Sequence, residues 1–277
     1  MINGYCTLAE YKAYGISNAQ PLAADDTVIE KIIDAASRYC DDATGRRFYP
    51  RVETRYFTVP NGCQLWFDDD LLSMTSFLNG EGTAITAANY NLLPRNEYPK
   101  YAVRLTETTN VYFQVDTNSN SEYVISVTGV WGYNEHYSYR AWKLITTLNE
   151  VGILNTTDTT FTLTSAAGLD ATGGQIIKID NEFMQTKSKA GFDLTVEARG
   201  ENGSTAATHA IGSAVYLWQV QSEIVEACLE IVNGIYKRRT GENAESSSVL
   251  TTGGVIITPR DIPDLARDIL MKFARIV

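Results

Sequence analysis

The two ends of this chain carry helical periodicity, whereas its middle alternates as β-strands do. In residues 26–44 apolar side chains recur every three or four positions, and the same rhythm returns in residues 222–239 and again after Pro259. A weaker helix is predicted over residues 8–14. An amphipathic helix must bury its apolar stripe against another element. We therefore predict that helices from both chain ends pack together in one core.

The helix over residues 26–44 has sequence signals at both of its ends. Thr27 and Glu30 have the spacing of a capping box, in which each side chain bonds the backbone of the other. Gly45 follows the last periodic residue and favours a left-handed C-terminal stop. These signals support a helix that spans residues 26–44.

The region between the helices reads as β structure. Residues 51–133 are rich in β-branched and aromatic side chains punctuated by turn residues, which predicts short antiparallel strands. Residues 144–218 shift towards Thr, Ser, Gly and Ala and predict a second, small all-β module. Residues 242–257, with three consecutive serines and a Gly pair, are typical of a mobile linker.

These patterns predict the α+β class, with an antiparallel α-helical core from both chain ends and an inserted antiparallel β region. The predicted division has four parts: residues 1–50 (helical core, N-terminal part), 51–143 (β region), 144–218 (inserted small all-β module) and 219–277 (helical core, C-terminal part, with the linker).

The charge balance disfavours one broad class of function. The chain has 277 residues, 23 basic against 33 acidic, and a net charge of −10. Nonspecific nucleic-acid binding needs clustered Lys and Arg to neutralise phosphates, so DNA is expected to pass nearby without being gripped. No signal sequence and no membrane span are predicted, which suggests a soluble protein made in a cytoplasm.

The side chains that usually carry chemistry are few and scattered. They are Cys6, Cys40, Cys63, Cys228, His136 and His209. Their spacing matches neither a metal site nor a catalytic triad, so we expect reduced thiols, structural histidines, no metal and no cofactor. Three consecutive aspartates at 68–70 lack the spacing of a Ca²⁺ loop and are interpreted as a solvated turn.

Two other groups of residues leave alternatives open. The basic residues are Arg46, Arg47, Lys237, Arg238 and Arg239. They either complement the C-terminal ends of helices or contribute to a subunit contact or a DNA-facing rim. The aromatic residues crowded between 131 and 142 favour an intersubunit or intramolecular contact, with a stacking platform for sugars as the alternative.

Several segments, in the right order, resemble a family of phage proteins. Residues 25–48 run from Asp-Asp-Thr-Val-Ile-Glu through Ala-Ala-Ser to Thr-Gly-Arg-Arg-Phe, residues 127–133 read Val-Thr-Gly-Val-Trp-Gly-Tyr, and residues 236–239 read Tyr-Lys-Arg-Arg. These resemble the head-tail connector (adaptor) proteins of tailed bacteriophages, with residues 51–218 exceeding the nearly all-helical small members. Residues 199–209 are similar to a β motif found across phage virion proteins.

The resemblance implies a structural role. It implies antiparallel helices, a ring (twelve copies in this family) beneath the portal protein, a tail or neck protein below, and a channel through which DNA passes without sequence-specific binding. The place implied is the neck of the virion, reached by assembly in the host cytoplasm, and no catalysis is implied. A ring of twelve would carry on the order of −120 charges, and an acidic lumen repels DNA and so lets it slide.

The C-terminal helix is predicted to supply the portal-docking surface, through the apolar anchors Leu265, Ile269, Leu270 and Phe273. The competing interpretation is that this stripe packs permanently on the helix of residues 26–44 in the same subunit. Two other functions stay open. One is a β-rich receptor- or carbohydrate-binding virion protein, and the other is an enzyme such as a wall hydrolase built from distant residues.

Overall fold

In a computed structural model, which describes residues 3–14, 23–107, 110–240, 249–250, 256–257 and 262–275, four α-helices occupy the two ends of the chain. The helices are α1 (Leu8–Tyr14), α2 (Asp26–Thr44), α3 (Ser222–Thr240) and α4 (Asp264–Phe273). The predictions for residues 8–14, 26–44 and 222–239 are confirmed. The last helix ends earlier than its apolar periodicity predicts. The backbone leaves the helix at Ala274, and the Arg275 N–H donates to the Thr44 carbonyl at 2.8 Å. Within the described ranges, none of these helices has the length and apolar character needed to cross a membrane.

Of the two caps predicted for α2, the structure has the C-terminal one and lacks the N-terminal one. Gly45 ends α2 with φ of 65°, and its N–H donates to the Asp41 carbonyl. The capping box predicted at Thr27 and Glu30 is wrong, because Asp25 occupies the cap position and makes no side-chain cap bond. A reciprocal capping box instead opens α1, where the Thr7 N–H donates to Glu10 at 2.7 Å and the Glu10 N–H donates to Thr7 at 3.1 Å.

Fifteen strands are present in the described residues. They are β1 (Arg51–Phe57), β2 (Gln64–Leu78), β3 (Tyr90–Leu93), β4 (Lys100–Leu105), β5 (Ile125–Trp131), β6 (Trp142–Thr147), β7 (Ile153–Leu154), β8 (Thr160–Thr162), β9 (Ile176–Ile179), β10 (Glu182–Ala190), β11 (Asp193–Val196), β12 (His209–Ala210), β13 (Ala214–Trp218), β14 (Val249–Leu250) and β15 (Ile256–Ile257). Short 3₁₀ helices cover Ala23–Asp25 and Ala87–Asn89.

The strands form two main antiparallel sheets. The first has the order β1-β5-β2-β4-β3, and the long strand β2 pairs with β4 through its first half and with β5 through its second. Register shifts along β2 accommodate this change of partner and bend the strand. The second sheet has the order β6-β13-β9-β10-β11-β8, and two further pairs join β12 to β7 and β14 to β15.

Three apolar clusters fill the interior. Each main sheet buries one cluster of its own, centred on Trp131 in the first sheet and on Phe161 in the second. The third cluster joins the four helices to residues from strands and loops, among them Leu72, Ile176 and Trp218.

The predicted fold class, an α-helical core with an inserted β region, is wrong. Among the residues that the structure describes, it is mostly β, with 32% of them in strands and 25% in helices. Helix α2 contacts α3, and α3 contacts α4, yet strand and loop side chains complete the cluster that these helices share. Periodicity identifies each helix, but it does not reveal how much of the surface opposite that helix comes from strands.

The four-part domain division stays a prediction, and several contacts cross its boundaries. The Trp218 indole N–H donates to the Phe48 carbonyl at 2.9 Å, and the Val52 N–H donates to the Asn202 carbonyl at 2.8 Å. The predicted linker at 242–257 lies outside the described residues, apart from the four that form β14 and β15.

Candidate functional site

Two of the segments that carry the phage resemblance meet at one place, which we call the junction (Arg46, Phe48, Asp70, Tyr133 and Phe273). The rings of Phe48, Tyr133 and Phe273 pack edge to face, with centroids 5.5 to 5.9 Å apart. Arg46 lies over the Tyr133 ring at 4.4 Å, and its Nη1 is 2.7 Å from the Asp70 carboxylate. The junction therefore joins residues 25–48 to residues 127–133 and to helix α4.

Backbone contacts fix the junction further. The Arg46 Nε–H donates to the Phe273 carbonyl at 2.7 Å, and the Tyr133 N–H donates to the Arg47 carbonyl at 2.6 Å. The Gly132 N–H donates to the Asp70 carbonyl at 2.8 Å. Burial raises the pKa of Asp70, although the nearby guanidinium groups of Arg46 and Arg275 oppose that rise. The Tyr133 pKa also rises, through burial and then the hydrogen bond to Glu135.

The third motif segment reaches the same helical cluster from the other side. Tyr236 of α3 donates its hydroxyl to Asp25 at 2.9 Å, at the start of α2, and its ring packs edge to face on Tyr11 of α1. All three segments that resemble the connector family are thus connected through one cluster of side chains.

The three aspartates at 68–70 do not form the solvated turn that we predicted. They lie within β2, where Asp69 and Asp70 are buried. Arg51 and Arg55 each bind Asp69 at 2.7 Å, and Arg55 also binds Asp68 at 2.9 Å. The run was misinterpreted because its partners are 13 to 24 positions away in sequence.

The predicted docking anchors mostly face inwards. Ile269, Leu270 and Phe273 are buried in the cluster shared by the helices, whereas Leu265 is 52% exposed. The positions of Ile269, Leu270 and Phe273 therefore agree with the competing interpretation, in which the stripe packs within its own subunit. Only Leu265 of the four presents a large apolar surface to a partner.

The predicted basic residues do not form one group. Arg46 is engaged at the junction, whereas Arg47, at the end of α2, is exposed. On the last turn of α3, Arg238 and Arg239 are exposed and Lys237 is half-buried. Their position fits the interpretation that they complement a helix C-terminus.

A buried ionic network organises the loop formed by residues 199–209. Arg199 binds both oxygens of Glu182 at 2.7 and 2.8 Å, His209 Nε2 lies 2.8 Å from the same carboxylate, and His209 Nδ1 lies 2.7 Å from Asp180. The N–H groups of Gly200 and Ala207 also donate to Glu182. Burial opposes ionisation, but these donors, Arg199 foremost, lower the Glu182 pKa to about 2. Sequence reasoning found the motif and missed its carboxylate partner.

Three of the four cysteines converge, which their spacing did not suggest. Cys6 precedes α1, Cys40 is in α2 and Cys228 is in α3, and all three are buried as free thiols, with the Cys6 and Cys228 sulfurs 3.6 Å apart. The hydrogen bond to Cys228 and then burial raise the pKa values of Cys6 and Cys40, so these thiols stay protonated. Within the described part of the chain, no group of three or more His, Cys, Asp or Glu residues is arranged to hold a metal ion.

The aromatic cluster between residues 131 and 142 is mainly interior. Trp131 and Tyr133 are buried, Tyr137 and Trp142 are half-buried, and Tyr139 is exposed. This matches an intramolecular contact. A different aromatic pair, Trp66 and Tyr101, lies on the surface, and the sequence analysis did not single it out.

Comparison with known proteins gives no relative from which a function could be transferred. No family model matches the chain, and no curated protein matches its sequence significantly.

Proposed function

We propose that this chain is a structural head-tail connector of a tailed bacteriophage, forming a ring beneath the portal that extends the DNA channel. The observation that carries the proposal is the spatial convergence of the three motif segments. Residues 25–48, 127–133 and 236–239 were recognised separately, yet they share one cluster of packed side chains.

The roles of the motif residues support the proposal. Gly45 supplies the left-handed end of α2, and Gly132 lies where a Cβ atom would come within 2.5 Å of the Tyr49 carbonyl oxygen. Phe48 and Tyr133 fill the junction. These four motif residues therefore meet a packing or backbone requirement, as expected for motifs that define a structural unit.

The charge of the chain suits the same role. Because each copy carries −10, identical copies repel one another in dilute solution. We expect a monomer or weak oligomer when the protein is free and a ring when the portal supplies a template. Sedimentation of the purified chain at low micromolar concentration tests the first part, and a stable free dodecamer would contradict it.

Electron microscopy of the chain mixed with the portal of the same virus tests the proposal directly. The expected image is an added ring at the narrow end of the portal. An unchanged portal, with the chain fully folded, would count against the proposal.

Leu265 offers a matched test of the docking face. Leu265 on α4 is 52% exposed, and Leu144 on β6 is 57% exposed. Leu265→Ala is expected to weaken portal binding by about fivefold or more without changing monomer stability, whereas Leu144→Ala should leave binding unchanged. Equal effects of the two substitutions would remove α4 from the docking face.

A further inference from the structure

We propose that the cleft between residues 94–99 and 133–139, together with the exposed pair Trp66 and Tyr101, is a binding site for a neutral oligosaccharide. We call this surface the aromatic cleft. It goes beyond the connector role, since ring assembly neither requires nor excludes it.

The pair Trp66 and Tyr101 places two stacked aromatic rings on the surface. The two side chains come from the neighbouring strands β2 and β4, with ring planes within 1° of parallel and centroids 6.2 Å apart. Trp66 is 63% exposed and Tyr101 is 42% exposed. Large aromatic faces left in water favour a ligand with a flat apolar face, and the C–H face of a pyranose ring is such a surface.

The adjoining cleft supplies hydrogen-bonding groups. It has a volume of about 480 Å³, and Tyr101 lines it, so the stacked pair adjoins the cleft. Glu97, Asn96 and Glu135 are exposed there, with Tyr139 at the edge. Carboxylate and amide oxygens accept hydrogen bonds from sugar hydroxyls, and the amide also donates.

The loop that forms one wall of the cleft is held in place before any ligand binds. The buried Lys100 Nζ donates to the carbonyls of Pro94, Arg95 and Glu97 at 2.6, 3.1 and 2.6 Å, and it lies 4.3 Å from the Tyr98 ring centroid. A site whose wall is already ordered loses less conformational entropy on binding.

The charges of the cleft select against anions. Among the residues that line the cleft, Glu97 and Glu135 are exposed carboxylates, and the guanidinium of Arg46 is paired with Asp70. The exposed Arg95 belongs to the same loop but does not line the cleft. Aromatic surfaces also stack nucleic-acid bases, but phosphates need unpaired cations beside the rings. The combination of flat rings, acceptors and negative charge therefore fits a hydroxyl-rich, uncharged ligand.

Calorimetric titration with cellohexaose, maltohexaose and chitohexaose tests the proposal. We expect at least one of these neutral oligosaccharides to bind, and Trp66→Ala and Tyr101→Ala each to reduce its affinity by about tenfold. Phe192→Ala is the matched control, because Phe192 is 60% exposed but lies in the turn between β10 and β11, and it should leave the affinity unchanged.

Binding of anionic ligands and a check of folding complete the test. An acidic trigalacturonate and a thymidine oligonucleotide are expected to bind at least tenfold more weakly than the neutral sugar. Circular dichroism confirms that the exposed substitutions leave the fold intact. Failure of all three neutral oligosaccharides to bind at about 10 mM, tighter binding of the oligonucleotide, or full affinity in Trp66→Ala would each overturn the proposal.

Discussion

Gly132 is the residue on which the junction geometry depends most directly. Its φ is 140°, and a Cβ atom there would lie 2.5 Å from the Tyr49 carbonyl oxygen, which is backbone and cannot turn away. Gly152 also has positive φ, 95°, but a Cβ there meets nothing within 4 Å. Both positions have a positive φ, but only Gly132 would also suffer a steric clash. Comparing alanine substitutions at the two glycines therefore separates the cost of backbone strain from the cost of the clash.

We expect Gly132→Ala to destabilise the fold by about 3 kcal/mol or more, and Gly152→Ala by about 1 kcal/mol. Urea unfolding of the two variants measures the difference. Equal losses would mean that the backbone around Tyr49 relaxes and that the close approach is not required.

Glu201 gives the fold a dependence on pH near neutrality. Burial and the neighbouring Glu197 raise its pKa to about 7, although the Gln185 N–H donates to it at 2.5 Å. Because this pKa exceeds the ordinary value of 4.5, the folded chain binds more protons between those values. The stabilisation that the folded state gains from protonated Glu201 is fully present below about pH 4.5 and is lost as the pH rises through about 7.

We therefore expect unfolding free energy to fall by about 1 kcal/mol between pH 6 and pH 8, after allowing for solvent screening. Glu201→Gln should remove that part of the dependence, because an amide accepts the Gln185 hydrogen bond at any pH. Glu122→Gln, at an exposed position, is the control and should follow the parent protein. A parallel pH profile for Glu201→Gln and the parent would exclude Glu201 as the cause.

Helix α4 behaves as part of the core and not as a separate docking arm. Phe273 packs on Phe48 and Tyr133, and its carbonyl accepts from Arg46. We expect Phe273→Ala to cost about 3 kcal/mol of unfolding free energy, and Leu265→Ala to cost less than about 0.5 kcal/mol. Urea denaturation of both variants checks the contrast. A stable Phe273→Ala monomer would mean that α4 detaches readily and would restore the docking interpretation of its apolar stripe.

The sequence predicted helices better than it predicted the surfaces between elements. The stripe of α2 and the stop at Gly45 are local features, encoded within a few residues, and both were found. Strand β2 was missed at its centre because three aspartates there oppose strand propensity, and arginines from other segments neutralise them.

The candidate site was harder to predict for the same reason. The motif residues were identified, but their convergence at the junction depends on contacts between residues 48, 133 and 273. The pair Trp66 and Tyr101 is formed by the pairing of two strands, and no spacing within either strand reports which aromatic side chains are left exposed.

The second sheet is attached to the rest of the molecule by specific side chains. Trp218, at the end of β13, packs on Trp142 at 4.9 Å and bonds the Phe48 carbonyl, and Ile176 also enters the helical cluster. If residues 144–218 formed an inserted module with its own independent stability, as the sequence predicts, the helices would fold without it. The contacts favour the opposite outcome.

We expect that replacing residues 144–218 by a short Gly/Ser linker abolishes cooperative unfolding of the helices, because loss of a buried Trp alone costs about 3 to 5 kcal/mol. Replacing only residues 151–153, where Val151 is 97% exposed, is the control and should change the melting temperature little. Circular dichroism during heating follows both variants. A cooperative helical transition in the larger replacement would show that the module is an independent domain.

The placement of α4 against residues near the start of the chain has a consequence for synthesis in the cell. The Phe48 ring cannot pack on Phe273, and the Phe67 and Asp68 carbonyls cannot bind Arg275, until the ribosome has added more than 200 further residues. Part of the core therefore stays open during that interval. During that interval these apolar surfaces are exposed to solvent and to other nascent chains. The core can therefore close only after residues 273–275 have left the ribosome, which delays folding of the segments that precede them.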